Sequence, residues 1–581
     1  MNKTIKKIKE KQAERKSIRY ADEIAQEVMA DFEERRRTRR HFEAQWQLTA
    51  NFVMGNQHCV ISPTATLEDT ERDYFWQERE VYNHMAPILE TRLAKLGRVR
   101  PVMSVVSASD NENDIKSAIV GTKVLNSCYN RLAVSEIISR ATMWSEITGT
   151  VFYKVTWDHG AGKVLGQVGG KKVTGGDVWI DVCPPYEIFP SSLTAETVEE
   201  CPSIIHAKAV PVAEIKRLWN IDIEGENLDL YNYQSSYNAG GLGLSSSGIA
   251  TGPERRRDHA IVIERYTLPD DKSPNGELVI VSGSKLLYSG ELPYLNGRDG
   301  ERGYPFIRQQ CLAMTGMFFG TSILERVIPI QRAYNAVKNR KHEYLNRIAM
   351  GVLAVEDGSV DVNNLEDEGL SPGKILLYRQ GSQPPSMLSL GRVPPEFNAE
   401  EDRLFGEFVS ISGVSEVMRN SITPTGVVSG VALRLLIEQD ETRLSMVADN
   451  IRGAIRRMGQ HIIRLFRQFA CEKRLDKTAG ENGQIELLAW SKSDLTSDEI
   501  IFETDAELSN TPAARQSMIF DLLSTGLLND ETGKLTNSMR RKILDNLGFN
   551  AFSEEFKDCG GDEKSMGEML KEMLTPTNAE F

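Results

Sequence analysis

The sequence predicts an α+β fold on three observations. Hydrophobic spacing is helical through most of residues 1–150 and changes at Val151 to the alternation of strands. Two helical stretches, 321–350 and 394–413, flank a short insert rich in Pro and Gly. After a Gly/Ser/Thr loop, Ser429 caps a helix without proline. Its Leu444, Val447, Ile451, Ile455, Met458, Ile462, Leu465 and Phe469 repeat at 3-4 spacing and give one apolar face. Some 45 residues at about 1.5 Å each make that helix roughly 65–70 Å long, the length of a structural spine or a subunit contact.

Residues 1–60 read as helix. Their run from Glu33 to Arg40 is either a solvated face or a basic contact for nucleic acid or a neighbouring subunit, and spacing does not separate the two. Phe42, Trp46, Thr49, Phe52 and Val53 follow at helical spacing and read as core. A helix from Asn83 ends at Gly97, where Pro101 prevents continuation. A strand is expected at 102–106, and one helical stretch at 110–150, closed by Gly149. Residues 151–158 and 176–182 read as paired strands across a Gly-rich turn, with further strands at 203–208, 259–266 and 278–281. The stretch 235–252 has the Gly/Ser composition of a mobile loop.

Ser322 and Glu325 have the spacing of a capping box, and the helix they open meets Pro329 in its second turn. This helix is basic: Arg326, Arg332, Lys338, Arg340, Lys341 and Arg347 against Glu325 and Glu343, six minus two. The insert 351–393 holds short apolar runs at 352–355 and 375–378, too little for a core of its own, so it is expected to lean on neighbouring copies. Pro394, Pro395 and Glu396 suit the first turn of the second helix. That helix is acidic: Glu396, Glu400, Glu401, Asp402 and Glu407 against Arg403, five minus one. Strands at 485–490 and 499–503 return towards the earlier β body. Helices resume after Thr511, and the polar tail 557–581 reads as partly disordered.

At 581 residues the chain suits roughly three or four modules. It has no apolar run of about 18 residues, and its first residues lack the apolar core of a secretory signal, so a cytosolic chain with no membrane span is expected. Seven scattered cysteines read as free thiols in a reducing compartment. A net charge of −13 excludes a protein that grips nucleic acid over its whole surface, though not one through which DNA slides. Gly533-Lys534 and Gly162-Lys163 lack the glycine spacing and hydroxyl of a phosphate loop, and His342-Glu343 is followed by Asn346 where a zinc-protease helix has its second His. The other histidines show no ligand spacing with Cys or carboxylates. The expectation is no enzyme, no cofactor and no metal site.

The order of elements resembles that of portal proteins of tailed bacteriophages, of the short-tailed type. Particular phrases agree: Asn83-His84-Met85 leading to Arg100-Pro101, Glu146-Ile147-Thr148-Gly149 running on to Val155, Gly176-Asp177-Val178 with Pro184 through Pro190, and Gly413-Val414-Ser415-Glu416 with Ser429-Gly430-Val431. The resemblance implies a ring subunit with an α/β wing at 1–320, stem helices at 321–350 and 394–413, and a clip at 351–393. A tunnel loop at 414–430, a spine helix at 431–475, return strands at 476–508 and a helical crown with tail at 509–581 complete it. It implies a homo-oligomer of about twelve copies at one virion vertex, assembled in the host cytoplasm. Double-stranded DNA passes through, and the partners are the terminase large subunit, which holds the ATPase, a head-tail adaptor, and the major capsid and scaffolding proteins. On this reading Asn420, Ser421, Thr423 and Thr425 of the loop meet DNA, Glu396, Glu400, Glu401 and Glu407 line the channel, and Lys338, Arg340, Lys374 and Arg379 serve subunit or terminase contacts. Two other readings stay open: another oligomeric head-tail adaptor or tail component, and an enzyme whose carboxylates carry no motif. A ring further predicts that the apolar face from Leu444 to Phe469 is left unburied by one subunit.

Overall fold

The computed structural model describes residues 2–70, 77–100, 103–168, 171–229, 255–271, 273–297, 300–350, 352–360, 375–388, 393–414, 430–479 and 485–502. The chain divides into two units, Met1–Asp505 and Ala506–Phe581, and all of these residues belong to the first. The loop at 235–252 and the helices and tail expected beyond Thr511 lie outside them.

Helix α1 (Asn2–Met54) opens the chain, followed by a small hairpin of β1 (Cys59–Ile61) and β2 (Leu67–Asp69), α2 (Met85–Leu96) and β3 (Met103–Val105). The helical stretch expected at 110–150 is two helices, α3 (Glu112–Arg131) and α4 (Val134–Thr148), because Ala133 takes a left-handed conformation that no helix continues through. Gly149 ends α4 at φ 80°, and a Cβ there would sit 2.4 Å from the Gly320 carbonyl oxygen, so only glycine fits this corner.

Next come β4 (Thr150–Asp158), β5 (Val164–Val168), β6 (Lys171–Thr174) and β7 (Asp177–Cys183). β5 and β6 form a hairpin where the sequence suggested only a turn. β8 (Ile188–Pro190), β9 (Ser203–Pro211), α5 (Val212–Trp219), β10 (Glu226–Asp229), β11 (Arg255–Thr267), β12 (Glu277–Ser282), β13 (Lys285–Gly290) and β14 (Phe306–Gln310) complete two antiparallel sheets. One has the order β14-β4-β7; the other runs β13-β12-β11-β9-β8, with β10 also on β11.

Helix α6 (Ile323–Met350) leads to β15 (Val352–Ala354), which pairs with β16 (Ser386–Leu388). The apolar run at 375–378 forms no strand, and Ile375 and Leu377 are each 84% exposed. Helix α7 (Glu396–Ser412) ends on Gly413 at φ 70°. Helix α8 (Gly430–Phe469) is 40 residues long, about 60 Å. It stops at Phe469 rather than 475, because Arg474 already begins β17 (Arg474–Ala479), which pairs with β18 (Ile485–Trp490). β19 (Ile500–Phe502) returns to pair with β3.

The apolar face of α8 corrects an expectation. Leu444, Val447, Ile451, Ile455, Met458, Ile462 and Leu465 are all buried within one subunit, where α8 packs on β4, β14 and β19. Contact is so close at Gly459 that an added Cβ would lie 2.5 Å from Ile500 Cδ1. Phe469 is half-buried and stacks on Trp157 at 5.5 Å. The stripe is core of the subunit, not a face reserved for a neighbour.

The basic run of α1 is also reassigned in part. Arg36, Arg37 and Arg40 are exposed, but Arg39 is buried, donating to the carbonyls of Pro185, Tyr186 and Ile188 beneath a guanidinium–ring contact with Phe189 at 3.6 Å. Arg35 pairs with Asp31 and donates to the carbonyls of Phe189 and Ser203. These two arginines hold α1 to the six-stranded sheet, and the expected core residues Trp46, Thr49, Phe52 and Val53 are buried on the same helix.

Candidate functional site

Helices α6 and α7 pack against each other over a seam that includes Val327, Ile330, Tyr334, Leu404 and Phe408, continuous with Phe52 of α1 and Met85, Ile88 and Leu89 of α2. The opposite charges of the two helices meet at one point. Glu401 of α7 pairs with Lys338 and with Lys341 (2.9 Å), all three side chains being about a fifth exposed. Burial opposes ionisation of Glu401, yet the two ammonium groups hold its carboxyl below the usual range. Two residues expected to face a channel or a partner, Glu401 and Lys338, are therefore engaged within their own chain.

The other acids of α7 face outward. Glu396 is exposed, and Arg403 bridges Glu400 at 2.6 Å and Glu407 at 2.9 Å on the surface. Arg340 is exposed on α6, and Arg379 is exposed in the chain between the two helices, its N–H donating to the Ser359 carbonyl. Asn420, Ser421, Thr423, Thr425 and Lys374 lie outside the described residues.

At the inner end of the helix pair is a buried ion pair that sequence spacing did not reveal. Arg92 of α2 donates from Nε to Glu146 Oε2 of α4 at 2.6 Å, and from Nη1 to the Ser412 carbonyl at the end of α7. The backbone carbonyl of Glu146 accepts from Ser322 Oγ at the start of α6, and Cys311 Sγ donates to its carboxylate at 3.4 Å. The end of α7 is thus held by the Arg92 guanidinium and the start of α6 by the backbone of its partner, Glu146. The capping box forms as well, with the Leu324 N–H on Ser322 Oγ and Glu325 reaching back to the Ser322 N–H at 3.4 Å.

A second unforeseen feature runs along α6. Gln331, Asn335, Asn339 and Glu343 recur every four residues and meet the backbone of residues 78–84 at alternate positions. Gln331 accepts from the His84 N–H and donates to the Tyr82 carbonyl. Asn335 accepts from the Tyr82 N–H, Asn339 donates to the Glu80 carbonyl, and Glu343 accepts from the Glu78 N–H. Four residues of helix advance about 6 Å and two of extended chain about 6.6 Å, so the repeats stay in step over this length.

Away from these helices, Cys183, Glu187 and His206 converge, all buried, with one ligand atom from each inside 4.8 Å. This overturns the expectation of no Cys, His and carboxylate cluster: the three come from β7, the turn after it and β9, and only strand pairing brings them together.

The match to known proteins takes in the helix pair together with much of the β body before it and the strands after it. The model of the Phage P22-like portal protein family matches residues 207–510, more than half of the chain, spanning α6, α7 and α8. The chain therefore belongs to the phage portal proteins of the P22-like family. No curated protein matches it.

Proposed function

We propose that the chain forms a ring-shaped channel at the portal vertex of a phage capsid, through which double-stranded DNA enters during packaging and leaves during ejection. Membership of the portal family supports the vertex role. The observation that carries the channel is the division of charge on α7. Glu401 is neutralised inside the subunit, while Glu396, Glu400, Asp402 and Glu407 lie at the surface against the single Arg403 that bridges Glu400 and Glu407, four minus one. An acidic wall repels phosphate and lets DNA slide, where a wall of Lys and Arg would hold it.

In this reading α6 and α7 are the stem, 351–393 the clip, 1–320 the wing, 414–430 the tunnel loop with Asn420, Ser421, Thr423 and Thr425 towards DNA, and 509–581 the crown. α8 is the spine, and the strands within 476–508 return to the wing. Arg340, Lys374 and Arg379 offer the charge for the terminase large subunit and later a head-tail adaptor, and major capsid and scaffolding proteins surround the ring in the virion. The chain acts as a structural protein, with ATP hydrolysis left to the terminase.

Negative-stain electron microscopy of the purified chain tests this first. Rings with a central channel and about twelvefold symmetry are expected. A chain that remains monomeric even with its scaffolding and capsid proteins present overturns the reading.

A further inference from the structure

We infer that Cys183, Glu187 and His206 form a structural zinc site, a reading independent of the ring. The three side chains are almost wholly buried: Cys183 is 0% exposed, and the side chains of His206 and Glu187 are 4% and 6% exposed. Their separations suit a shared cation. Cys183 Sγ lies 3.6 Å and Glu187 Oε2 3.3 Å from the same nitrogen, His206 Nε2. A tetrahedral zinc with Zn–S of about 2.3 Å and Zn–N and Zn–O of about 2.0–2.1 Å requires edges of about 3.6 Å and about 3.3 Å.

The surroundings fit as well. The other ring nitrogen, Nδ1, is 3.4 Å from Glu264 Oε2, the carboxylate that orients a metal-bound imidazole and fixes its tautomer. Glu264 is itself paired with Lys154, whose ammonium lies 3.2 Å from Nδ1 and belongs to the carboxylate once Nδ1 carries a proton. The charges close: Zn²⁺ with the Cys183 thiolate and the Glu187 carboxylate sums to zero, and Lys154 with Glu264 sums to zero. Starting from an imidazolium and a thiol, binding releases two protons to solvent, the one on Cys183 Sγ and the one on His206 Nε2, and leaves Nδ1–H donating to Glu264. A second oxygen of Glu187 or a water completes four-coordination. Thiolate, imidazole and carboxylate together favour zinc over the harder Mg²⁺ or Ca²⁺.

The metal-free alternative is an imidazolium held between Glu187 and Glu264 beside a neutral thiol, and it makes opposite predictions. In the bound form the ion ties β7 of the three-stranded sheet to β9 of the six-stranded sheet, so its effect is on stability.

The test uses the untagged full-length chain, incubated with zinc chloride, desalted and measured for metal by mass spectrometry. One zinc per chain is expected, with a melting temperature that falls on chelation and recovers with zinc. Cys183→Ser and His206→Ala should lose the metal while Cys471→Ser, at an exposed cysteine, keeps it. Absence of stoichiometric zinc in the unaltered chain, or its retention in folded Cys183→Ser and His206→Ala, overturns the proposal. Should those variants not fold, cobalt(II) loaded into the Cys471→Ser, Cys559→Ser chain decides. A thiolate-to-cobalt charge-transfer band supports the site, and octahedral aqueous-like cobalt without that band rejects it.

Discussion

At the scale of single residues, the strongest dependence is on the pair of Arg92 and Glu146, whose side chains are 2% and 0% exposed. A buried charge without its partner keeps its desolvation cost and loses the attraction that offset it, so Arg92→Met should lower unfolding stability by about 3–5 kcal/mol. The double variant Arg92→Met, Glu146→Leu should recover most of that loss, and urea unfolding of the three chains checks both statements. Glu325 gives a pH signature. Burial pushes its carboxyl up to about 7, against the Ser322 N–H and Arg326, which favour the charged form. Because the folded state holds this proton more tightly than the unfolded chain, stability is full below about 4.5 and falls as pH rises from there to about 7. The melting temperature of the unaltered chain minus that of Glu325→Gln should drop across this window, and a flat difference would refute the assignment. Little of this was legible in the sequence. Arg35 and Arg39 look solvated in a run of like residues, because the carbonyls they satisfy lie some 150 positions away. The same holds for Arg92, whose partner is 54 residues distant.

At the scale of elements, local signals read well and long-range ones did not. Gly149 and Gly413 end their helices in the left-handed conformation that stops helical geometry, a signal written within a few residues, whereas Gly97 caps its helix with its backbone still right-handed. The break at Ala133 carries no glycine or proline, and the end of α8 at Phe469 is set by pairing of β17 with β18, so neither was visible. The ladder on α6 shows why a polar stripe escapes a search for apolar periodicity. Gln331, Asn335 and Asn339 are buried, yet their side chains are amphoteric hydrogen-bonding groups that match the backbone of residues 80–84 rather than a core. Asn335→Leu leaves the Tyr82 N–H and the Gln57 side chain without their partner. Stability should fall by about 1–3 kcal/mol, the cost of stranding buried polar groups. Hydrogen exchange should quicken at Tyr82 and His84 before the rest of the body, whereas uniform loosening of the whole chain would argue against a local strap.

At the scale of the whole molecule, burial of the α8 face changes how assembly must work. A helix whose Leu444 to Leu465 stripe is already core does not need a neighbour in order to fold, so the body of the subunit should be stable before any ring exists. Some apolar side chains stay exposed, Met446 on α8 itself among them, and the most exposed lie between β15 and β16, where Ile375 and Leu377 are 84% exposed and Tyr378 48%. A second copy of the chain is the occupant that the portal reading supplies, at the clip. Ile375→Asp with Leu377→Asp should then leave the melting temperature of the dilute monomer within about 1–2 °C of the unaltered chain, since exposed positions contribute little to the subunit's own fold. The same change should remove rings from micrographs and shift the sedimentation profile to the monomer. Rings that persist in this variant would place the subunit contact on another surface, and a large fall in monomer stability would show that these residues belong to the subunit core after all.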